Sequence, residues 1–165
     1  MNTKIDLTVV EGWYNKLQND NAGRAELKRS SNLFDVLLQK QYHILRSNLN
    51  YEKPVEIVTC IAGLCSHVKN NTAVPLILGL ARGKSGSNRP IYSEMKLKKY
   101  ASVSDWEEFY TLTVRAIHML DCAVSVESIV DLVVRFYYTM KSNSISNKYN
   151  FRVYVSEQYY TEVLD

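Results

Sequence analysis

A chain of 165 residues fits one domain that buries roughly two-thirds of its unfolded surface, and 46% hydrophobic against 22% charged residues excludes a disordered chain. Three prolines and six glycines exclude a turn-rich sandwich or barrel. The formal charge of +3 is too small to mark a protein that coats nucleic acid, so the placement of charge matters more than its sum.

The first helix is expected over 7–19, where Val9, Val10, Trp13, Tyr14 and Leu17 share one face of a 3.6-residue period. Residues 19–23 read as a loop, followed by a short helical turn over 24–29 that bears Arg24, Lys28 and Arg29. A long helical pattern then runs from Ser31 through Leu33, Phe34, Leu37, Leu38, Tyr42 and Leu45. Pro54 opens the next helix, where its missing N–H is harmless, and Val55, Val58, Ile61, Ala62 and Cys65 form its apolar stripe. Pro75 does the same for a short apolar helix over 76–81. Residues 83–90, Gly-Lys-Ser-Gly-Ser-Asn-Arg-Pro, are the most flexible stretch, and a short helix over 93–100 follows it.

Ser104 and Glu107 have the spacing of a capping box and start a helix that buries Trp106, Phe109, Thr113, Ile117 and Leu120. Ser125 starts another, with Val126, Ile129, Val130, Val133, Phe136, Tyr137 and Met140 at helical spacing. The segment from Phe151 alternates like a strand but also suits a helix, and helix is preferred because no partner strand is evident. The expectation is an all-α compact bundle of about eight helices. It forms a single domain over 1–165, with 1–82 and 91–165 as closely packed subdomains joined by the basic Gly/Ser loop.

Catalytic chemistry is hard to assemble from this sequence. Cys60, Cys65 and Cys122 match no disulfide or metal spacing, so free thiols in a reducing cytoplasm are expected. His43, His67 and His118 sit in no recognised nucleophile motif and read as surface imidazoles. Cys60, Cys65 and His67 lack a fourth ligand, and no metal or cofactor is expected. Gly79 to Gly86 resembles a phosphate loop superficially, but it has three residues before Gly83-Lys84-Ser85 where that motif needs four. Asp105, Glu107 and Glu108 lie at a helix start, where the helix dipole favours acids. The chain therefore reads as non-enzymatic. Its first residues lack the apolar core of a signal peptide and no run is long enough to span a membrane, so a cytoplasmic protein without membrane contact is expected.

The charge map points elsewhere. Residues 82–100 hold six basic side chains (Arg82, Lys84, Arg89, Lys96, Lys98 and Lys99) against Glu94 alone, whereas 101–165 hold nine acids against five basic residues. Lys96 and Lys99, three apart, share one helix face, while Leu97 and Tyr100 share another. A solvated charged face is the plainer reading of that spacing. The functional reading is a surface that neutralises phosphates without reading sequence.

Several stretches also have a familiar order. Gly12-Trp13-Tyr14 lies in the first helix, Gly23-Arg24-Ala25-Glu26-Leu27-Lys28-Arg29 follows, and Ser93-Glu94-Met95-Lys96-Leu97-Lys98-Lys99-Tyr100 comes after the flexible loop. Two amphipathic helices come next, over 104–120 and 125–140, the second of which carries Phe136-Tyr137-Tyr138, and the chain then has a terminal Tyr159-Tyr160 pair. In order and spacing this resembles the CasB family, the small subunit of the type I-E CRISPR Cascade complex. Lys stands for the family's Arg at 28, 96 and 99, which keeps charge but loses bidentate geometry, and residues 48–71 match little.

The resemblance implies an all-helical, non-catalytic subunit. It would pair with a second copy and pack on the Cascade backbone and large subunits beside guide RNA and target DNA strands. There it would help hold the R-loop open in antiviral defence. Lys28, Arg29, Lys96 and Lys99 match the family's basic positions, and Arg115 reads as a further one. Arg24, Arg82, Lys84 and Arg89 are added from the charge map. The alternative is a helical protein–protein adaptor without nucleic-acid contact.

Overall fold

Among residues 3–165, which a computed structural model describes, the chain forms ten helices and one very short sheet. In chain order these are α1 (Leu7–Gln18), α2 (Asn21–Arg29), α3 (Leu33–Leu37), α4 (Lys40–Asn48), α5 (Val55–Ser66), β1 (Asn70–Asn71), α6 (Leu76–Ala81), α7 (Glu94–Ala101), α8 (Trp106–Met119), β2 (Ala123–Val124), α9 (Val126–Lys141) and α10 (Phe151–Leu164). The fold is all-α, as the periodicities indicate, and the ambiguous terminal segment is a helix.

Local chemistry sets most helix starts. Asp6, Asp20, Asn32, Ser93, Asp105, Ser125 and Asn150 each accept backbone N–H groups that the first turn leaves without partners. The start of α8 lies one residue later than the capping-box spacing suggests. Asp105 accepts from the Glu108 N–H at 2.8 Å, and an ionised carboxylate is the stronger acceptor than the Ser104 hydroxyl. The long pattern over 31–45 splits into α3 and α4. On one unbroken helix Val36 and Leu45, nine residues apart, would point about half a turn away from each other. The break lets both reach the core, where each is fully buried.

The middle of the molecule is α5. Ile57 to Ser66 are all buried, because this helix is apolar on every side and has neighbours all round: α2, α3, α4, α8 and α9 pack against it. Gly63 lets α8 approach closely; a Cβ there would stand 2.6 Å from the Tyr110 hydroxyl. Further packing of α6 on α8 and α10, and of α7 on α10, makes one continuous core across the two halves of the chain. Its aromatic centre stacks Phe109 on Phe136 (ring centres 4.3 Å apart), with Trp106, Phe151 and Tyr100 edge-on or stacked around them.

The parallel pair β1–β2 staples the α5–α6 connection to the α8–α9 connection. The Cys122 carbonyl accepts from the Lys69 and Asn70 N–H groups at 2.8 and 3.1 Å, and Asn71 Oδ1 accepts from the Val126 N–H at 3.0 Å. This staple fixes the ends of α5 and α8 side by side. No helix among the described residues is long and apolar enough to cross a membrane.

Candidate nucleic-acid interface

Helix α7 carries the densest basic segment, and its two faces divide as the spacing predicts. Ser93 caps it by accepting the Lys96 N–H at 3.2 Å. Leu97 and Tyr100 point inward and are buried, and the Tyr100 hydroxyl meets the Thr113 hydroxyl of α8 at 2.8 Å. Lys96 and Lys99 remain exposed on the outer face. They line a cavity of about 210 Å³ together with Tyr92, Tyr100, Leu112, Met119 and the α8 cation Arg115.

Arg115 joins this cavity to a second one. On its other side it lines a space of about 190 Å³ with Lys28 of α2, Ser30, Ser31, His67, Tyr110, Thr111 and Val114. Lys28, Arg115, Lys99 and Lys96, drawn from three helices, thus form one stripe. None of the four makes an ion pair among the described residues. Among the described residues no carboxylate lies within ion-pairing distance of them, which leaves their ammonium and guanidinium groups free to meet an anion.

The other expected residues have different surroundings. Arg24 is half-buried and donates from Nε to the Ser66 carbonyl and from Nη2 to the Val68 carbonyl, both at 3.1 Å, so it closes the C-terminal end of α5. Arg29 is exposed but opens on a separate cleft with Glu26 and Asp35. Arg82 pairs with Glu162 of α10 at 2.7 Å, which ties down the base of the Gly/Ser loop. Lys84 and Arg89 are exposed on that loop, which is closed by a bridge between Gly83 and Pro90 and turned by Gly86 at φ 84°. None of these five lines either cavity of the stripe.

Sequence reasoning missed a histidine pair beside the stripe. His67, expected at the surface, is buried; its Nδ1 lies 3.0 Å from His118 Nε2, and His118 Nδ1 lies 3.4 Å from Cys122 Sγ. Burial, then the His118 ring, then Lys28 and Arg24 push the pKa of His67 down to about 4. At neutral pH it therefore adds no charge. The partners are 51 residues apart, a separation that carries no sequence signal. Burial likewise pushes the Cys65 thiol up to about 12 and the Cys60 thiol well above its usual range. No group of three or more His, Cys, Asp or Glu among the described residues is arranged to hold a metal ion.

No protein-family model, curated protein or solved structure matches the chain.

Proposed function

We propose that this protein is a non-catalytic small subunit of a type I-E CRISPR Cascade effector. It binds nucleic-acid backbone and stabilises the R-loop formed by guide RNA and target DNA. A second copy of the chain and the backbone and large Cascade subunits are its protein partners. The observation that carries this reading is the convergence of Lys28, Arg115, Lys99 and Lys96 on one stripe along two cavities that no carboxylate lines. Three of these are the positions at which the chain resembles the CasB motifs. The all-helical fold is in keeping with that resemblance. Exchange of a DNA duplex for a guide–target heteroduplex is nearly balanced in free energy, so a few phosphate contacts are enough to tip it.

Titration of a labelled single-stranded oligonucleotide at several salt concentrations tests the stripe. Each phosphate contact contributes about 0.7 to the slope of log affinity against log salt, so four contacts predict a slope near −3. Lys96→Glu with Lys99→Glu should remove about half of it and, in the assembled effector, weaken target binding. Unchanged slope and target binding would sink the assignment.

A protein-only adaptor is the second reading. Phe34 near the start of α3 and Leu38 just past its end, one turn apart, are 67% and 61% exposed, and paired apolar side chains of this kind suit a protein partner. That reading predicts no nucleic-acid affinity in the titration.

A further inference from the structure

A surface that gripped only phosphates would need cations and nothing else. The cavity between α7 and α8 offers more. Its rim is Lys96, Lys99 and Arg115, and the rest of its lining is Tyr92, Tyr100, Leu112 and Met119. None of these lining residues is acidic, and the packing of α7 against α8 accounts for the apolar floor. Leu112, Arg115 and Met119 are three and four residues apart, so they project from one face of α8 toward α7. The Tyr92 hydroxyl makes no hydrogen bond to the other described residues. Burial pushes its pKa up to about 12 against the opposing pull of Arg115, so it is a neutral donor at working pH. At about 210 Å³ the cavity is below the ~300 Å³ typical of sites for drug-sized ligands, and its size suits one planar ring system.

We infer that this cavity receives one unstacked base of a single strand, with the base against Leu112, Met119 and Tyr92 and its flanking phosphates held by Lys96, Lys99 and Arg115. The inference rests on the phosphate-binding reading above and adds a role for the apolar floor. Cations and an apolar floor together select a nucleotide unit: a bare phosphate gains nothing from Leu112 and Met119, and an apolar ligand gains nothing from three cations. The strand is favoured over a free mononucleotide because Lys28 extends the same stripe beyond the cavity, where only a continuous backbone could reach it. A pocket of this kind is largely blind to base identity, since it has one hydroxyl to place against a base edge and otherwise contacts its face.

The test compares an oligothymidine strand with the same strand carrying abasic sites, using the full chain at fixed salt. Loss of one buried base should weaken binding about tenfold, within the usual range for a base against an apolar or aromatic surface. Met119→Trp, which fills the cavity, should bring the intact strand down to the abasic affinity while leaving the salt slope unchanged. Leu112→Phe serves the same purpose if the tryptophan variant does not fold. Thymidine monophosphate should compete poorly against the strand, and equal binding of the mononucleotide would overturn the strand assignment. Equal affinity for intact and abasic strands, or a difference that survives filling the cavity, would overturn the base pocket and leave the phosphate stripe standing. Absence of salt-dependent binding to either strand would overturn both.

Discussion

Arg24 Nε donates to the Ser66 carbonyl at 3.1 Å, so a residue that the charge map adds to the nucleic-acid-binding set clamps the end of the central helix. Its Nη2 makes a second bond to Val68. Arg24→Ala should destabilise the protein by about 2 kcal/mol, the scale of hydrogen bonds from a charged group, seen as a lower urea midpoint. Arg24→Lys should recover little, because an ammonium cannot reproduce the fork. Strand affinity of the folded variant should stay within about twofold of the parent. A large affinity loss without a stability loss would return Arg24 to the binding surface.

Stability should also fall in mild acid. His67 has a pKa of about 4 in the fold against 6.5 in its ordinary state. Between those values the unfolded chain takes up a proton that the folded chain refuses. The contribution is therefore complete above pH 6.5 and lost as pH falls toward 4, with an upper limit of about 3 kcal/mol. Urea denaturation between pH 4 and 7.5 measures it. His67→Gln should flatten the profile over that window, and a parallel profile would place the acid sensitivity elsewhere.

The three thiols should differ sharply in reactivity. Cys60 and Cys65 are fully buried, whereas Cys122 is partly exposed beside His118. In the native protein iodoacetamide should alkylate Cys122 alone, and peptide mass spectrometry would show it. Labelling of Cys60 or Cys65 at a comparable rate would mean that α5 opens more readily than its packing allows.

The Tyr110 hydroxyl is buried against Gly63 without a hydrogen-bond partner. Tyr110→Phe removes that unsatisfied group with little change of shape, so it should raise stability by about 1 kcal/mol. A loss of stability would indicate that the hydroxyl is satisfied in solution.

What could be read from the sequence was mostly local. Ser93 and Ser125 mark helix starts because a cap acts over three residues, and the offset of about a quarter turn between Lys96/Lys99 and Leu97/Tyr100 follows from the helical period alone. Such features do not depend on how the chain packs. The break between α3 and α4 does depend on it, since only the core decides that Val36 and Leu45 must both turn inward. The same holds for the site. The basic character of α7 was legible, but its union with Lys28 and Arg115 requires α2, α7 and α8 to meet. The charge map adds Arg24 and Arg82 to the nucleic-acid-binding set, and nothing near them in sequence reveals their bonds to the Ser66 carbonyl and Glu162. The His67–His118 pair is invisible for the same reason.

The loop over 83–90 is exposed, yet α5 packs on α9 and α6 on α10 across it. A protease cut beside Lys84 should therefore leave a nicked molecule that still migrates as one particle, since the shared core holds its pieces together. Denaturation would reveal the cut. Two separate fragments must find each other by collision, and recovery of the fold becomes dependent on concentration where the intact chain refolds at a rate independent of it. The loop acts as a tether that matters during assembly and is nearly dispensable once assembly is complete.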